Sequence, residues 1–282
     1  KGIFDSRIVY VATTGPKDNQ QRRLAIMDQD QENHRFLTDG SYLVATPSFS
    51  PDTRKITYVS YAKNNHPRVF IFDIETGKQE IVGEFPGMTF GPVFSPDGNK
   101  ILMSYADPEV GNSEIYMLDL RTRITKRLTN NSSIDVSPSL SPDQRQIVFN
   151  SDRSGRRHLY VMNSDGSGVK RISKNNGSYY DPVWSPRGDL IAFTKQEGGQ
   201  FYIGVMNIDG SNERMVAKSF HVEGPKWSPN GKNLIYYKTE RTSADGSGGK
   251  SSLYMIDLSG YNEREVSTPL GGVQPDWSPL MH

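Results

Sequence analysis

The sequence predicts an all-β protein built as a single six-bladed β-propeller with four strands in each blade. The first observation is a Pro-x-apolar-Ser-Pro motif that occurs six times, at spacings of 43 to 50 residues, close to the ~40–45 residues of a propeller blade. The second is that the strands missing from the last repeat stand at the other end of the chain, which closes a ring rather than a linear solenoid. The motifs begin at Pro47, Pro92, Pro138, Pro182, Pro225 and Pro275.

Each repeat begins with a strand of about four residues that prolines bracket, here named strand A. The turn that follows it, as in Ser95-Pro96-Asp97-Gly98, suits a type I turn, because proline is favoured at the second position and glycine at the fourth. Proline forfeits no needed ladder hydrogen bond at a strand start or on an edge. We therefore expect strand A to be the inner edge of its blade and to line the channel.

Three further strands, named B, C and D, follow strand A in each repeat. Strand B is an apolar, β-rich run such as Lys100-Ile101-Leu102-Met103, and strand C is similar but ends in Asp or Asn, as in Leu159–Asn163. Strand D is short and charged, as in Thr125–Thr129, which suits an outer edge that must resist pairing with another molecule. Helices are disfavoured because the runs are short, β-branched and aromatic, and Pro or Gly interrupts them.

The two ends of the chain share one repeat. Only three residues follow the sixth motif, Pro275–Pro279, whereas Arg7–Val11 matches strand B, Leu24–Asp28 matches strand C and Arg35–Thr38 matches strand D. We expect the C-terminal strand A to complete the N-terminal blade, so that residues 1–282 form one propeller domain. A Gly/Ser-rich insertion at residues 240–250 explains the longest spacing between motifs and is expected to be a mobile loop on the face that carries the B-to-C connections.

Composition excludes several classes of partner and chemistry. Lys and Arg number 33 against 32 Asp and Glu, a net charge of +1, so no long-range attraction to nucleic acid is expected. No apolar run approaches the ~18 residues that cross a bilayer, and we expect a chain that is not embedded in a membrane. The absence of cysteine excludes disulfides, thiolate nucleophiles and Cys-based metal sites. The first residue is Lys1 rather than Met, which is typical of a processed chain or an excised fragment.

The candidate binding surface is the face where the D-to-A and B-to-C connections meet, here named the top face. Its loops are long and dissimilar, whereas the A-to-B turns on the opposite, bottom face are short and similar. Few, mixed charges among aromatic and hydroxyl side chains suit a protein or peptide better than nucleic acid. The aromatic residues could instead plug gaps between blades, and both interpretations stay open. The candidate protein-binding residues ring the mouth of the channel: Tyr42, Thr46, Met88, Thr89, Phe90, Gly91, Val136, Ser137, Tyr179, Tyr180, Asp181, His221 and Glu223.

No catalytic residue, metal site or cofactor is predicted. The Gly-x-Ser-x-Gly motif is absent, the nearest string being Gly111-Asn112-Ser113-Glu114-Ile115, so no nucleophile elbow is encoded. His66, His158 and His221 fall on top-face segments, but in alternate blades, which disfavours a histidine metal site. Asp165-Gly166 is typical of a hairpin turn rather than a calcium loop, because the twelve-residue ligand spacing is missing.

Longer strings carry a resemblance to a known family. The Ser-Pro-Asp-Gly-x-Lys-Ile run at residues 95–101, followed by Ile115-Tyr116-Met117-Leu118-Asp119-Leu120, resembles the WD40-like repeat of the TolB family, the periplasmic propeller proteins of the Tol-Pal system. The strings Phe85–Gly98 and Gln274–Leu280, and the opening Arg7–Val11, are similar to sequences of that family. The resemblance spans essentially the whole chain.

The resemblance implies a non-enzymatic periplasmic adaptor that binds the lipoprotein Pal at its mouth, supports outer-membrane integrity and envelope constriction at cell division, and is exploited by colicin translocation segments. Carried over by position, the Pal-contacting segments correspond to Met88–Gly91, Val136-Ser137, Tyr179–Asp181 and His221–Glu223. TolB proteins also carry a signal peptide, a TolA-contacting extension and a small α/β domain, through which other Tol proteins would bind, and the sequence shows no counterpart of these. We expect a monomer.

Two other interpretations stay open. One is the substrate-gating propeller of a prolyl-oligopeptidase-like peptidase, which has similar repeats but needs a hydrolase domain elsewhere in a longer chain. The other is a glycan-binding or lyase propeller. The lack of a catalytic triad or a cluster of metal ligands in the sequence counts against catalysis by these residues.

Overall fold

The computed structural model describes residues 5–15, 19–63, 66–83, 85, 87–109, 111–242 and 249–281. Over these residues, 24 β-strands form six four-stranded antiparallel sheets, which are the blades of a ring. The predicted six-bladed propeller is confirmed. In the same part of the chain, no helix is long and apolar enough to cross a membrane.

The strands follow one another along the chain in groups that correspond to the predicted repeats. In order they are β1 (Arg7–Thr14), β2 (Gln21–Asp28), β3 (Arg35–Phe36), β4 (Val44–Phe49), β5 (Lys55–Lys63), β6 (His66–Asp73), β7 (Gln79–Gly83), β8 (Met88–Phe94), β9 (Lys100–Ala106), β10 (Ser113–Asp119), β11 (Thr125–Arg127), β12 (Asp135–Leu140), β13 (Gln146–Ser151), β14 (His158–Asn163), β15 (Lys170–Arg171), β16 (Ser178–Trp184), β17 (Leu190–Glu197), β18 (Gln200–Asn207), β19 (Arg214–Ser219), β20 (Val222–Trp227), β21 (Asn233–Thr239), β22 (Ser251–Asp257), β23 (Arg264–Val266) and β24 (Gly271–Trp277).

The blades share one topology. We number them by their inner strands, so that blade 1 has the order β24-β1-β2-β3, blade 2 has β4-β5-β6-β7, and the later blades continue in the same way to blade 6, β20-β21-β22-β23. Each inner strand contacts the inner strand of the next blade, and β24 contacts β4, so the inner strands surround a channel. The inner strands are the predicted A strands. The short, charged D strands lie at the outer edges, as predicted.

Blade 1 is completed from both ends of the chain, as the divided repeat predicted. Strand β24 pairs antiparallel with β1, placing Trp277 opposite Ile8. The indole Nε1 of Trp277 donates to Ser6 Oγ at 2.9 Å, and Ser278 N donates to the carbonyl of Arg7 at 2.9 Å. Because the indole is almost fully buried, this junction combines apolar burial with satisfied polar groups.

The hydrophobic core lies between neighbouring blades. At the junction of blades 4 and 5, Val148 and Leu159 of blade 4 pack in one buried cluster with Trp184 and Phe193 of blade 5. Both faces of the middle strands are therefore covered, which explains why these strands are apolar runs rather than alternating ones. Burial of each large side chain stabilises the fold by about 1.5–3 kcal/mol.

A glycine in blade 5 makes room for an aromatic ring. Gly204 pairs with Phe193 across β17 and β18, and a Cβ at Gly204 would lie 2.5 Å from the Phe193 ring carbon Cζ. The same pair in blade 2 is Tyr58 and Phe70, whose rings stack with centroids 5.5 Å apart. Aromatic pairs of this kind stabilise adjacent strands beyond the area that they bury.

The bottom-face turns have the predicted type I form. In blade 3, Gly98 N donates to the carbonyl of Ser95 at 2.8 Å, and Gly98 has a φ of +73°. The Ser95 hydroxyl donates to Asp97 at 2.6 Å and accepts from Lys100 N at 3.0 Å. The serine of the repeated motif therefore anchors the turn between the inner strand and the next strand.

The inner strands are longer than predicted. We expected about four residues between the two prolines of the motif, whereas the observed strands have six or seven and begin three or four residues before the first proline. A β-bulge lies at that proline in each blade, where the register with the neighbouring strand shifts. The bulge leaves the proline, which has no N–H to donate, outside the ladder and lets pairing resume beyond it.

Candidate functional site

The bulges build the mouth of the channel. The residue before the first proline of every motif has a left-handed backbone, with φ between +46° and +66°. Four of the six are not glycine, and such conformations cost energy that the surrounding structure must supply. The six residues are Thr46, Gly91, Ser137, Asp181, Gly224 and Gln274.

Side chains of the preceding blade hold three of the six ring positions in place. Thr46 N donates to Gln274 Oε1 at 2.9 Å, which joins blade 2 to blade 1. Ser137 N donates to Ser104 Oγ at 3.0 Å, and Gly224 N donates to Thr194 Oγ1 at 3.3 Å, in both cases from one blade to the one before it. At these three positions the backbone of the mouth is therefore held before any partner arrives, which lowers the conformational cost of binding.

A second set of contacts ties the blades together below the ring. The carboxylate of Asp276 in blade 1 accepts from Phe49 N of blade 2 at 2.8 Å, and burial raises the pKa of Asp276. Ser139 Oγ of blade 4 accepts from Trp184 N of blade 5 at 3.0 Å. Both acceptors occupy the variable position of the motif, so in these two blades this position connects neighbouring inner strands.

Two carboxylates meet at the mouth between blades 5 and 6. Asp181 accepts from the Ser137 hydroxyl at 3.3 Å. Burial, followed by the charge of Glu223, raises the pKa of Asp181 to about 6, while Lys226 partly opposes that shift. Glu223 accepts from the Tyr237 hydroxyl at 2.6 Å and lies 3.3 Å from His221 Nε2. Burial, followed by the charge of Glu223, also raises the pKa of Tyr237 far above its ordinary value, so this hydroxyl remains a donor.

Large apolar side chains are exposed on the other side of the mouth. Tyr42 and Leu43 precede β4 in blade 2, and Met88 and Phe90 lie on β8 in blade 3. Their exposed fractions lie between 41% and 54%. Neighbouring exposed apolar groups on a rim of polar residues are typical of an interaction surface.

A cleft about 600 Å³ in volume lies at the top of the junction between blades 5 and 6. It is lined by Phe220, His221, Thr239, Glu240, Arg241 and Thr242. The guanidinium carbon of Arg241 lies 4.5 Å from the centre of the Phe220 ring, a cation–π contact that covers this exposed aromatic side chain. Of the insertion at 240–250, residues 243–248 lie outside the described part of the chain.

The structure brings the predicted mouth residues together on the inner strands or directly beside them, rather than in separate loops. Tyr42 precedes β4 and His221 precedes β20, and the others lie on strands. The side chains of Thr89 and Tyr179 are at most 1% exposed, so they support the mouth from behind. Tyr179 donates to Glu213, which also accepts from Lys195 Nζ at 2.9 Å. The strand residues are Thr46, Met88, Thr89, Phe90, Gly91, Val136, Ser137, Tyr179, Tyr180, Asp181 and Glu223.

Sequence reasoning missed Lys226 and Asp276, although a signal was present. They are the only two charged residues at the variable position of the six motifs, a position that lies on the innermost strand of a blade. Lys226 lowers the pKa of both Asp181 and Asp276, which places its charge close to each carboxylate. In the other four motifs this position on the inner strand holds Val or Ser. A charged side chain there therefore indicates an electrostatic feature of the channel.

The predicted histidines do not converge. The ring of His158 is buried and its Nδ1 lies 3.0 Å from Ser173 Oγ, while burial lowers its pKa. His221 faces Glu223, and His66 begins β6 in another blade. Across the described ranges, no group of three or more His, Asp or Glu side chains is arranged to hold a metal ion.

The chain is similar to a known family over nearly its whole length. Residues 1–281 match the family model of the TolB beta propeller domain. Two curated relatives, both named Tol-Pal system protein TolB, match 99% of this chain: that of Paramagnetospirillum magneticum is 58% identical and that of Gluconobacter oxydans 48% identical. The chain spans 62% and 61% of their respective lengths. The crystal structure of TolB from Acinetobacter baumannii has a TM-score of 0.87 and 28% identity, covering 99% of this chain and 68% of that one.

Proposed function

Because the chain belongs to the TolB β-propeller family, we propose that it is an adaptor of the Tol-Pal system whose channel mouth binds the lipoprotein Pal. The adaptor would act in the periplasm, where it would support outer-membrane integrity and envelope constriction during cell division. Binding at a mouth whose backbone is already fixed needs no covalent step, so we assign no catalytic residue. Colicin translocation segments would compete for the same surface.

The observation that carries this proposal is the combination of a fixed ring with exposed anchors. Hydrogen bonds between blades hold the ring backbone at Thr46, Ser137 and Gly224, and Met88 and Phe90 are exposed beside the ring. Preorganised surfaces bind with little backbone movement, and a few large side chains at the centre supply most of the binding energy. Tyr180 adds a half-buried aromatic ring, with the guanidinium carbon of Arg157 5.5 Å from the ring centre.

Titration calorimetry of this chain with the soluble periplasmic domain of Pal from the same organism tests the proposal. We expect saturable one-to-one binding, competition by a colicin-type translocation peptide, and at least tenfold weaker binding by the double variant Phe90→Ala with Tyr180→Ala. Tyr261→Ala is the matched control, because Tyr261 is 89% exposed in a bottom-face turn and its removal leaves the mouth unchanged.

Two results would count against this function. Absence of heat together with absence of competition by the peptide would overturn Pal binding. Unchanged affinity in a correctly folded double variant would move the site away from the mouth. Circular dichroism of each variant would establish that the fold is retained.

A further inference from the structure

The mouth is not uniform around its circumference. The exposed apolar side chains Tyr42, Leu43, Met88 and Phe90 belong to blades 2 and 3, which are neighbours, and we name this set the apolar arc. Asp181 and Glu223 belong to blades 5 and 6, also neighbours on the other side of the channel, and we name this pair the acidic arc. A binding partner therefore meets different chemistry on the two sides.

The charge of Asp181 is only partly compensated within the protein, whereas Glu223 accepts a hydrogen bond from Tyr237 and lies 3.3 Å from His221 Nε2. Asp181 receives a hydrogen bond from a neutral hydroxyl, that of Ser137, at 3.3 Å, which is long for two oxygen atoms. The charge of Glu223 disfavours ionisation of Asp181, because like charges at close range repel each other. The cations near Asp181 are Lys226 on β20 and Arg157 before β14.

Compensation by these cations is partial, because burial and the charge of Glu223 outweigh them and leave the pKa of Asp181 raised. A charge-assisted hydrogen bond from a further cation would be shorter and stronger than the bond from Ser137. The exposed apolar arc supplies no such cation. Asp181 and Glu223 therefore favour a positively charged group on whatever docks at the mouth.

We propose that the partner docks on the mouth in one fixed orientation, placing apolar side chains on the apolar arc and a lysine or arginine side chain opposite Asp181 and Glu223. The proposal rests on the proposed function, since it takes the soluble domain of Pal as the partner. Charge complementarity supports the orientation, because reversing it would place a cation on apolar side chains and leave Asp181 with only the partial compensation that Lys226 and Arg157 supply. Both arcs contribute to affinity, and the acidic arc also determines the direction in which the partner docks.

Calorimetric titration of the full chain with the soluble domain of Pal at low and high salt tests the orientation. Asp181→Asn should weaken binding at least tenfold at low salt and by less at high salt, because the contact it removes is electrostatic. Phe90→Ala should weaken binding at least tenfold at both salt concentrations. Glu75→Gln is the matched control, since it removes one negative charge from an exposed bottom-face turn and should leave the affinity unchanged.

The outcomes separate the two proposals. If the wild-type chain binds Pal but Asp181→Asn and Glu223→Gln bind as tightly as Glu75→Gln at low salt, the orientation is overturned while Pal binding stands. If the wild-type chain does not bind, the proposed function fails and the orientation fails with it. The two acidic-arc variants provide independent tests, and their melting curves would identify a variant that has lost its fold.

A double variant tests the separation of the two arcs. The free-energy losses of Asp181→Asn and Phe90→Ala should add, because residues in different arcs share no contact. Strong non-additivity would show that both residues act on the same part of the partner, which would overturn the two-arc orientation.

Discussion

Replacing Asp181 by asparagine should make the protein more stable at neutral and alkaline pH. Asp181 has a φ of +46°, a left-handed conformation that asparagine also adopts readily. The asparagine side chain can still accept the hydrogen bond from Ser137. The substitution therefore removes a charge from the mouth with little change in shape.

The direction and the size of this change in stability follow from the pKa shift of Asp181. The fold raises the pKa of Asp181 from 3.8 to about 6, so the folded protein binds this proton more tightly than the unfolded chain does. The stabilisation that the proton contributes is complete below about pH 4 and is lost as the pH rises through about 6. A shift of this size corresponds to about 3 kcal/mol, which is an upper bound because Asp181 is only partly buried and the remaining contact with solvent screens its charge.

Urea unfolding followed by tryptophan fluorescence measures the effect, because the three tryptophans lie in the core on inner strands. Asp181→Asn should raise the unfolding midpoint at about pH 8, and the gain should shrink toward zero at about pH 4. Asp143→Asn is the control that should change stability in the opposite direction, lowering the unfolding midpoint. The reason is that hydrogen bonds from the Ser141 hydroxyl and Arg145 N lower the pKa of Asp143. An Asp181→Asn protein less stable than wild type at about pH 8, or a gain independent of pH, would refute the reasoning.

Three further substitutions probe the scaffold, each measured by the urea midpoint. Gly204→Ala should lower the free energy of unfolding by about 1–3 kcal/mol, because the new Cβ would lie 2.5 Å from the Phe193 ring. Adding Phe193→Leu to that variant should restore part of the lost stability. If it restores none, the clash is not the cause. Asp276→Ala should cost about 1–3 kcal/mol by leaving the buried Phe49 N without an acceptor, and Asp276→Ser, which keeps an oxygen, should cost less. Trp277→Ala should cost about 3–5 kcal/mol at the ring closure, and a loss below about 1 kcal/mol would show that closure does not depend on the indole.

The architecture could be predicted because short sequence patterns that determine strands and turns recur in every repeat. Each motif marks the end of an inner strand by proline, and each apolar run between turns marks a middle strand. The ring closure was also predictable, since Arg7–Val11 and Pro275–Pro279 are parts of one repeat at opposite ends of the sequence. Six copies of a pattern constrain the assignment far more than any single copy does.

The orientation of side chains at the mouth could not be predicted in the same way. Tyr179 and Tyr180 are adjacent in sequence, and only the observed strand shows that Tyr179 is buried while Tyr180 is more exposed. Side chains alternate between the two faces of a strand, and this alternation decides which tyrosine is buried. It can be used only where a segment is known to be a strand. The proline at position 182 suggested that pairing began there, and the bulge that carries pairing past it depends on the unusual backbone of Asp181.

The shared first blade also determines when the fold can be finished. Among the 24 described strands β24 is synthesised last, so β1 lacks its inner partner until β2 to β23 have been made. Until then the edge of β1 that carries Ile8–Val11 presents unpaired N–H and C=O groups beside apolar side chains, a combination that invites pairing with other chains. The closing contact joins Ser6 to Trp277, 271 positions away, and contacts so distant in sequence form slowly. The greatest hazard of aggregation therefore belongs to the newly made chain, and it ends when the last strand docks.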